Sequence, residues 1–194
     1  MKLTKIVAGV DEAGRGCIAG PDVAAAVILP KNFPSKILGD SKKLNEKQRE
    51  EAFEEIERHA VFAVGEVAAA EIDKIGIKKA TNLAMKIAVE KLRPQPHEIL
   101  VDGCDGFRFE IPSTDFIRGD ERIPEISAAS IVAKVYRDRL MEGFAKKYPG
   151  YSFGNHKGYG TLHHIRKLLR LRPTAIHRKS YEPLKTWAVQ RRLF

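Results

Sequence analysis

Only two cysteines, Cys17 and Cys104, occur in 194 residues, and they form no CxxC pair. That excludes a disulfide-stapled scaffold and the common zinc frameworks, and it suits a reducing compartment. No uncharged apolar stretch exceeds residues 23–29, far short of the roughly 20 residues a membrane-spanning helix needs. The start, Met1-Lys2-Leu3-Thr4-Lys5, lacks the apolar length of a secretory signal, so the expectation is a cytoplasmic chain that meets no membrane. A GxxxxGK[ST] loop is missing too, which argues against a P-loop nucleotide hydrolase. The most uneven shortage is of acid near the C-terminus. Residues 151–194 hold one acid, Glu182, against ten Lys/Arg, whereas residues 1–150 balance 24 against 24. The whole net charge of +9 therefore sits in the last segment. A neutral body with a basic module fits a protein that grips a polyanion beside a chemical centre. Tyr151, Phe153, Tyr159, Tyr181, Trp187 and Phe194 mark that module as folded or docked rather than a solubilising tail.

What is present begins with an apolar run, Ile6-Val7-Ala8-Gly9-Val10, that leads into Asp11-Glu12 and then Gly14-Arg15-Gly16. Adjacent carboxylates repel, and a fold that keeps them close usually has a cation to hold. Glycines around an arginine let bare backbone and one fixed positive fork approach a polyanion.

Periodicity and turn residues place strands at 5–11, 22–29, 61–67, 97–102 and 115–118. Helices are expected at 45–59 behind an Asn45 cap, at 68–74 and 77–92, from 124 or 125 to 148, at 161–171 behind a Thr161 cap, and at 182–192. Strands at 5–11 and 22–29 are close enough for antiparallel pairing, and the whole reads as an α/β layout with a mixed sheet. Residues 1–150 form the expected body, and 151–194 a basic helical segment packed on it. Asp11, Asp102 and Asp120 each close an expected strand next to a glycine, and ligand sites in open α/β sheets lie beyond strand ends. Neighbours on a regular strand face opposite sides, so Asp11 and Glu12 share a site only if the strand ends between them.

Asp11, Glu12, Asp102 and Asp120 make a four-carboxylate set of hard oxygen donors suited to Mg²⁺ or Mn²⁺ and to a two-metal phosphoryl transfer. Past Asp120, residues Ser127, Ser130, Lys134 and Asp138 fall on one helix face, a small, hydroxyl-rich surface suited to phosphate. In Asn155-His156-Lys157-Gly158-Tyr159-Gly160-Thr161 a ring stands between glycines, free to stack on a sugar or base. The histidines His156, His163, His164 and His177 lack zinc spacing.

Taken in order, Asp11-Glu-Ala-Gly-Arg-Gly16 with Gly20-Pro21, Asp40-Ser-Lys-Lys-Leu44, Val101-Asp-Gly103, Gly119-Asp120, Ser127-Ala-Ala-Ser-Ile-Val-Ala-Lys134 with Arg137-Asp138, Gly158-Tyr-Gly-Thr161 and His177-Arg-Lys-Ser-Tyr181 resemble bacterial ribonuclease HII over nearly the full chain. The resemblance implies a ribonuclease H-like fold, a five-stranded mixed sheet flanked by helices with a C-terminal helical segment. It implies a metal-dependent endonuclease for RNA in RNA/DNA hybrids and for single ribonucleotides embedded in duplex DNA, cut on their 5′ side to leave 3′-hydroxyl and 5′-phosphate ends. Asp11, Glu12, Asp102 and Asp120 would be the catalytic Mg²⁺/Mn²⁺ ligands. Gly14, Arg15 and Gly16 would read the 2′-hydroxyl, Tyr159 would pack on the sugar at the junction, and Lys42, Lys43, Ser127 and Lys134 would hold phosphates. The C-terminal Gln190, Leu193 and Phe194 match the shape of a sliding-clamp docking peptide, and the chain is read as a monomer. The rivals are a ribonuclease HIII-like hybrid nuclease, against which stands the lack of residues before the first strand for an extra domain, and a non-catalytic nucleic-acid-binding protein, against which stand the four acids.

Overall fold

A computed structural model describes residues 5–39 and 44–190, with side chains described as far as residue 188. Five strands, β1 (Val7–Ala13), β2 (Asp22–Ile28), β3 (Val61–Val67), β4 (Glu98–Asp102) and β5 (Ser113–Phe116), form one sheet in the order β3-β2-β1-β4-β5. The β3-β2-β1 half is antiparallel and β1-β4-β5 is parallel, so the sheet is mixed, as expected. β1 is the hinge between the two halves, the position at which α/β sheets open a crevice at their strand ends.

Helices cover both faces: α1 (Glu46–His59), α2 (Ala69–Ile75), α3 (Ile77–Lys91) and α4 (Pro124–Lys147), followed by α5 (Phe153–His156), α6 (Leu162–Leu171) and α7 (Leu184–Gln190). The unbroken apolar run of β2 follows from burial on both sides. Ala24 and Ala26 join the core against α3, whereas Ala25 and Val27 join the core against α1 and α4. Small residues set the spacing. A Cβ at Gly9 of β1 would lie 2.0 Å from the Glu125 carbonyl carbon, so α4 crosses directly over the strand that carries Asp11.

Asn45 does cap α1, in a reciprocal box with Gln48: Gln48 N–H donates to Asn45 Oδ1 at 2.9 Å and Asn45 N–H to Gln48 Oε1 at 3.0 Å. Thr161 caps α6 as expected, its hydroxyl accepting from His164 N–H. Some boundaries differ. β5 lies at Ser113–Phe116 rather than 115–118, an edge strand whose exposed side chains carry no alternating pattern. The short α5 was not anticipated, and four residues are too few to show a helical period. A third cluster joins Ile18 and Met141 to Tyr151, Phe153, Leu168 and Leu184, so residues 151–188 share a core with the turn after β1. Among the described residues no helix is long and apolar enough to cross a membrane.

Candidate active site

β1 does not stop between Asp11 and Glu12 but runs on to Ala13. The two acids meet for a different reason. Asp11 Oδ1 folds back to accept from the Glu12 N–H at 2.7 Å, bringing its carboxylate round to its neighbour's side. Burial, with Asp11 only 5% exposed, pushes its carboxyl well above the ordinary range, and the charges of Glu12 and Asp102 push it the same way. Glu12 is also raised, chiefly by burial, with Arg15 opposing and Asp22 and Asp102 adding to the rise. Asp102 ends the parallel neighbour β4, and its Oδ1 accepts from Gly119 N–H at 2.7 Å and Asp120 N–H at 3.4 Å. Asp120 does not close β5. It lies in a 3₁₀ turn, Gly119–Glu121, fully buried at the foot of α4. Asp11, Glu12 and Asp102 thus act on one another at the ends of β1 and β4, and Asp120 joins them through its main-chain N–H on Asp102.

Asp11, Glu12 and Asp102 are each engaged with a local donor, and among the described residues no three His, Cys, Asp or Glu side chains already stand in metal-coordinating positions. The donor chemistry nevertheless fits a divalent ion. All four are hard oxygen donors, and the charges of Glu12 and Asp102 raise the proton affinity of Asp11 and the charge of Asp102 raises that of Glu12, an arrangement that a cation reverses.

The Gly14-Arg15-Gly16 turn leaves β1 and wraps beside Glu12. Arg15 donates to Glu12 at 3.3 Å and to Asp105 at 2.8 Å, and Lys78 also pairs with Asp105 at 3.4 Å. Two buried arginines, Arg137 and Arg178, which the sequence places in motifs without giving them this role, hold the turn from behind. Arg178 donates to the carbonyls of Arg15 and Gly20 at 3.0 and 3.1 Å, and the Tyr181 hydroxyl donates to Arg15 O at 2.7 Å. From α4, Arg137 reaches the carbonyls of Ala19, Pro21 and Lys157 at 2.8–3.1 Å. Because a trans peptide points C=O and N–H in opposite directions, drawing Arg15 O inward aims the Gly16 N–H outward.

Outward lies a cavity of about 390 Å³ lined by Glu12, Gly14, Arg15, Gly16, Arg49, Ser130, Lys134 and Tyr159. The expected reading turn, one of the acids and the expected sugar-packing ring therefore share one hollow. Lys134 is there too, paired with Asp138 at 2.5 and 2.6 Å. Arg49 was missed by reading the sequence, since it resembles any charged residue on an exposed helix. Ser127 falls elsewhere. It is 3% exposed and borders a separate hollow of about 210 Å³ with Asp120, Lys36 and Arg122, and its hydroxyl has no partner among the described residues. Lys42, Lys43, Leu193, Phe194 and the Gln190 side chain lie outside the described residues. Both cysteines are free thiols, Cys17 buried and Cys104 exposed.

Tyr159, 46% exposed, stands on a turn underpinned by three histidines that come together without any ligand spacing in sequence. His164 Nδ1 lies 2.9 Å from Tyr159 O, His164 Nε2 lies 3.1 Å from His177 Nε2, and His156 stacks on His164 with ring centroids 4.1 Å apart. Burial drives His164 and His177 down to about 4. The unfolded chain takes up protons first, near 6.5. The stability these neutral rings provide is therefore complete above that pH and drains away as pH falls toward 4. Buried Asp11 and Asp22, both raised mainly by burial, act in the opposite sense, so the ring signals are the clean readout. In an NMR titration the His164 and His177 ring resonances should hold still from pH 8 to about pH 5. Movement with a midpoint near 6.5 would contradict their burial as neutral groups.

Residues 8–183 match the family model for ribonuclease HII. Ribonuclease HII of Desulfitobacterium hafniense (strain Y51) is 48% identical over 180 residues, 92% of this chain and 69% of that protein. Ribonuclease HII of Thermotoga petrophila is 49% identical over 179 residues, 92% of this chain and 74% of that one. Among solved structures, ribonuclease H2 from Pyrococcus horikoshii OT3 superposes with a TM-score of 0.81 at 28% identity, covering 96% of this chain and 99% of the other. RNase HII in a complex with PCNA from Archaeoglobus fulgidus gives 0.74 at 26% identity, covering 91% and 95%. An RNase HIII in complex with Mn²⁺ shares the fold alone, at 0.70 and 18% identity over 97% of this chain and 71% of that one. With acids, turn and ring gathered at the rim of a ribonuclease H-like sheet, the chain belongs to the ribonuclease HII family and is a ribonuclease H.

Proposed function

We propose that this enzyme is a metal-dependent endonuclease that cleaves RNA in RNA/DNA hybrids and incises duplex DNA on the 5′ side of an embedded ribonucleotide, leaving 3′-hydroxyl and 5′-phosphate ends. The observation that carries the reading is the single hollow that Glu12, Gly14, Arg15, Gly16 and Tyr159 line together. The 2′-hydroxyl is the group that distinguishes a ribonucleotide from its neighbours. A preset backbone donor or acceptor beside the acids rejects a sugar without that hydroxyl, because its own polar group would be left unpaired.

Gly14, Arg15 and Gly16 read the 2′-hydroxyl in this account, and Tyr159 packs on the adjoining sugar and favours the ribose-to-deoxyribose step. Lys134 contacts phosphates together with Lys42 and Lys43, and Arg49 on the cavity wall joins them, whereas the Ser127 hydroxyl is too deeply buried to share that role. Asp11, Glu12, Asp102 and Asp120 would hold two Mg²⁺ or Mn²⁺ ions. The chemistry such ions supply when bound is activation of the attacking water and neutralisation of the leaving oxygen. Residues 1–150 are the catalytic body. The basic segment 151–194 adds sequence-independent grip on the duplex in a monomer acting in the cytoplasm, within ribonucleotide excision repair and replication. Gln190, Leu193 and Phe194 are the candidate sliding-clamp peptide, a reading supported by the archaeal relative in complex with PCNA.

The test is cleavage of duplex DNA bearing one ribonucleotide, with Mg²⁺, with Mn²⁺ and with EDTA, mapping the cut. Incision immediately 5′ of the ribonucleotide that stops in EDTA is expected. A cut on its 3′ side, or turnover undiminished by EDTA, overturns the reading.

A further inference from the structure

Three buried histidines stand behind Tyr159, and the hydrogen bonds among them admit one proton arrangement. Tyr159 O is a carbonyl and can only accept, so the His164 nitrogen facing it at 2.9 Å, Nδ1, carries the proton. In a neutral imidazole the other nitrogen is then an acceptor, so the His177 Nε2 found 3.1 Å from His164 Nε2 is the donor. That leaves His177 Nδ1 to accept, and the Thr174 N–H points at it from 2.9 Å. The result is a directed chain from Thr174 N–H through His177 and His164 to the carbonyl of Tyr159. Each bond in it polarises the next.

The other side of the tyrosine is held as firmly. Tyr159 N–H donates to His156 O at 2.8 Å, and Gly158 N–H donates to His156 Nδ1 at 3.2 Å. His156 Nε2 in turn lies 2.8 Å from Tyr151 O, an acceptor, which makes it the protonated nitrogen. The Tyr159 carbonyl is therefore held by the His164 ring, its N–H by the main-chain carbonyl of His156, and the preceding Gly158 N–H by the His156 ring, with His164 packed against Tyr151 and Phe153, while Tyr159 itself lines the cavity with Gly16. A ring that merely filled a turn would need no such support. Leucine or phenylalanine would pack those positions as well, without the cost of three buried polar rings.

We propose that His164, with His177 fixing its tautomer, is a positioning residue for Tyr159, holding the ring where it discriminates an RNA-to-DNA junction from continuous RNA. The inference rests on Tyr159 being the junction reader proposed above, and the experiment separates the two. The readout is the ratio of kcat/KM on duplex DNA with one ribonucleotide to kcat/KM on a uniform RNA/DNA hybrid, measured beside thermal stability. Asparagine places an amide donor near where Nδ1–H stands, whereas glutamine reaches the position of Nε2 and leaves Tyr159 O held by the Thr161 N–H alone. His164→Asn is therefore expected to keep the parental ratio and His164→Gln to lower it about tenfold, the effect of roughly one lost hydrogen bond, although both lose similar stability. At the far end, His177→Gln keeps a donor at Nε2 and should keep the ratio, whereas His177→Leu should lower it. These two variants decide the matter if His164→Gln does not fold. Tyr159→Ala sets the benchmark. If it lowers the ratio while His164→Gln and His177→Leu do not, the positioning role is wrong and the reading of Tyr159 stands. If the paired variants lower the ratio equally, in step with stability, the histidines are structural only. If Tyr159→Ala keeps the ratio, the junction reading itself fails.

Discussion

Replacing Asp11 with asparagine should abolish cleavage and, in the absence of divalent cations, make the protein harder to unfold. Asparagine is nearly isosteric and keeps an oxygen for the Glu12 N–H, so the strand end need not move. What disappears is a buried negative charge that burial, Glu12 and Asp102 all oppose. Removing a charge so placed should raise the unfolding midpoint. The same charge is what the acids would offer to a cation. A ligand binding only the folded state raises the midpoint in proportion to its occupancy. Millimolar Mg²⁺ or Mn²⁺ should therefore stabilise the parent measurably and Asp11→Asn much less. Activity should drop by a thousandfold or more, equivalent to about 4 kcal/mol of lost transition-state stabilisation. Calorimetry with and without the ion checks this independently of turnover. A lower midpoint for the variant, or the same cation shift in both proteins, would remove Asp11 from the ligand set.

The acids could be named from the sequence because apolar runs ending in Asp beside Gly are strong local signals, and Asp11 and Asp102 do sit on neighbouring parallel strands. Their detailed geometry was not legible. The strand-end argument required β1 to stop at Asp11, whereas the carboxylate's bond to its own neighbour's N–H lets the strand continue. No pattern of residue types encodes that. Asp120 was tied to a strand end because residues 115–118 look extended, but the edge strand β5 closes earlier and a 3₁₀ turn carries the acid. The basic C-terminal segment misled in a different way. Counting charge treats every Lys and Arg alike, yet Arg178 is fully buried and serves backbone carbonyls of the reading turn. A guanidinium with five donors can satisfy several carbonyls at once, which is why burial is tolerable there. Arg137, next to Asp138 on α4, serves backbone carbonyls in the same way, and nothing in the residue pattern separates it from a solvated helix arginine. His156, His164 and His177 meet only through the packing of α5, α6 and the loop after it, and spacing along the chain could not have joined them.

The glycines flanking Arg15 should respond oppositely to alanine. Gly14 has φ of +107°, a backbone conformation costly for any side chain, and a Cβ there would stand 2.1 Å from Arg137 Nε. Gly14→Ala must therefore either displace the buried arginine or unwind the turn. A loss of about 2–4 kcal/mol is expected, combining backbone strain with a disrupted buried guanidinium. Gly16 is under neither constraint. Its φ is not positive, and a Cβ built on it meets no described atom within 4 Å. Nothing in the described fold requires glycine at that position, and the space a methyl group would take is open cavity in front of an outward N–H. Gly16→Ala should consequently unfold within a degree or two of the parent, because an allowed Gly→Ala change if anything stabilises by restricting the unfolded chain. Its cost should fall on substrate. A methyl group at van der Waals distance from a ribose pushes the sugar off the donor, so kcat/KM on a duplex with one ribonucleotide should drop by about a hundredfold or more. Binding to all-DNA duplex, governed by phosphate contacts, should change little. Melting curves and single-turnover cleavage on the two variants together decide it. If Gly16→Ala cleaves at the parental rate, the open space beside it is not where the ribose goes, and the reading turn must engage substrate through some other surface.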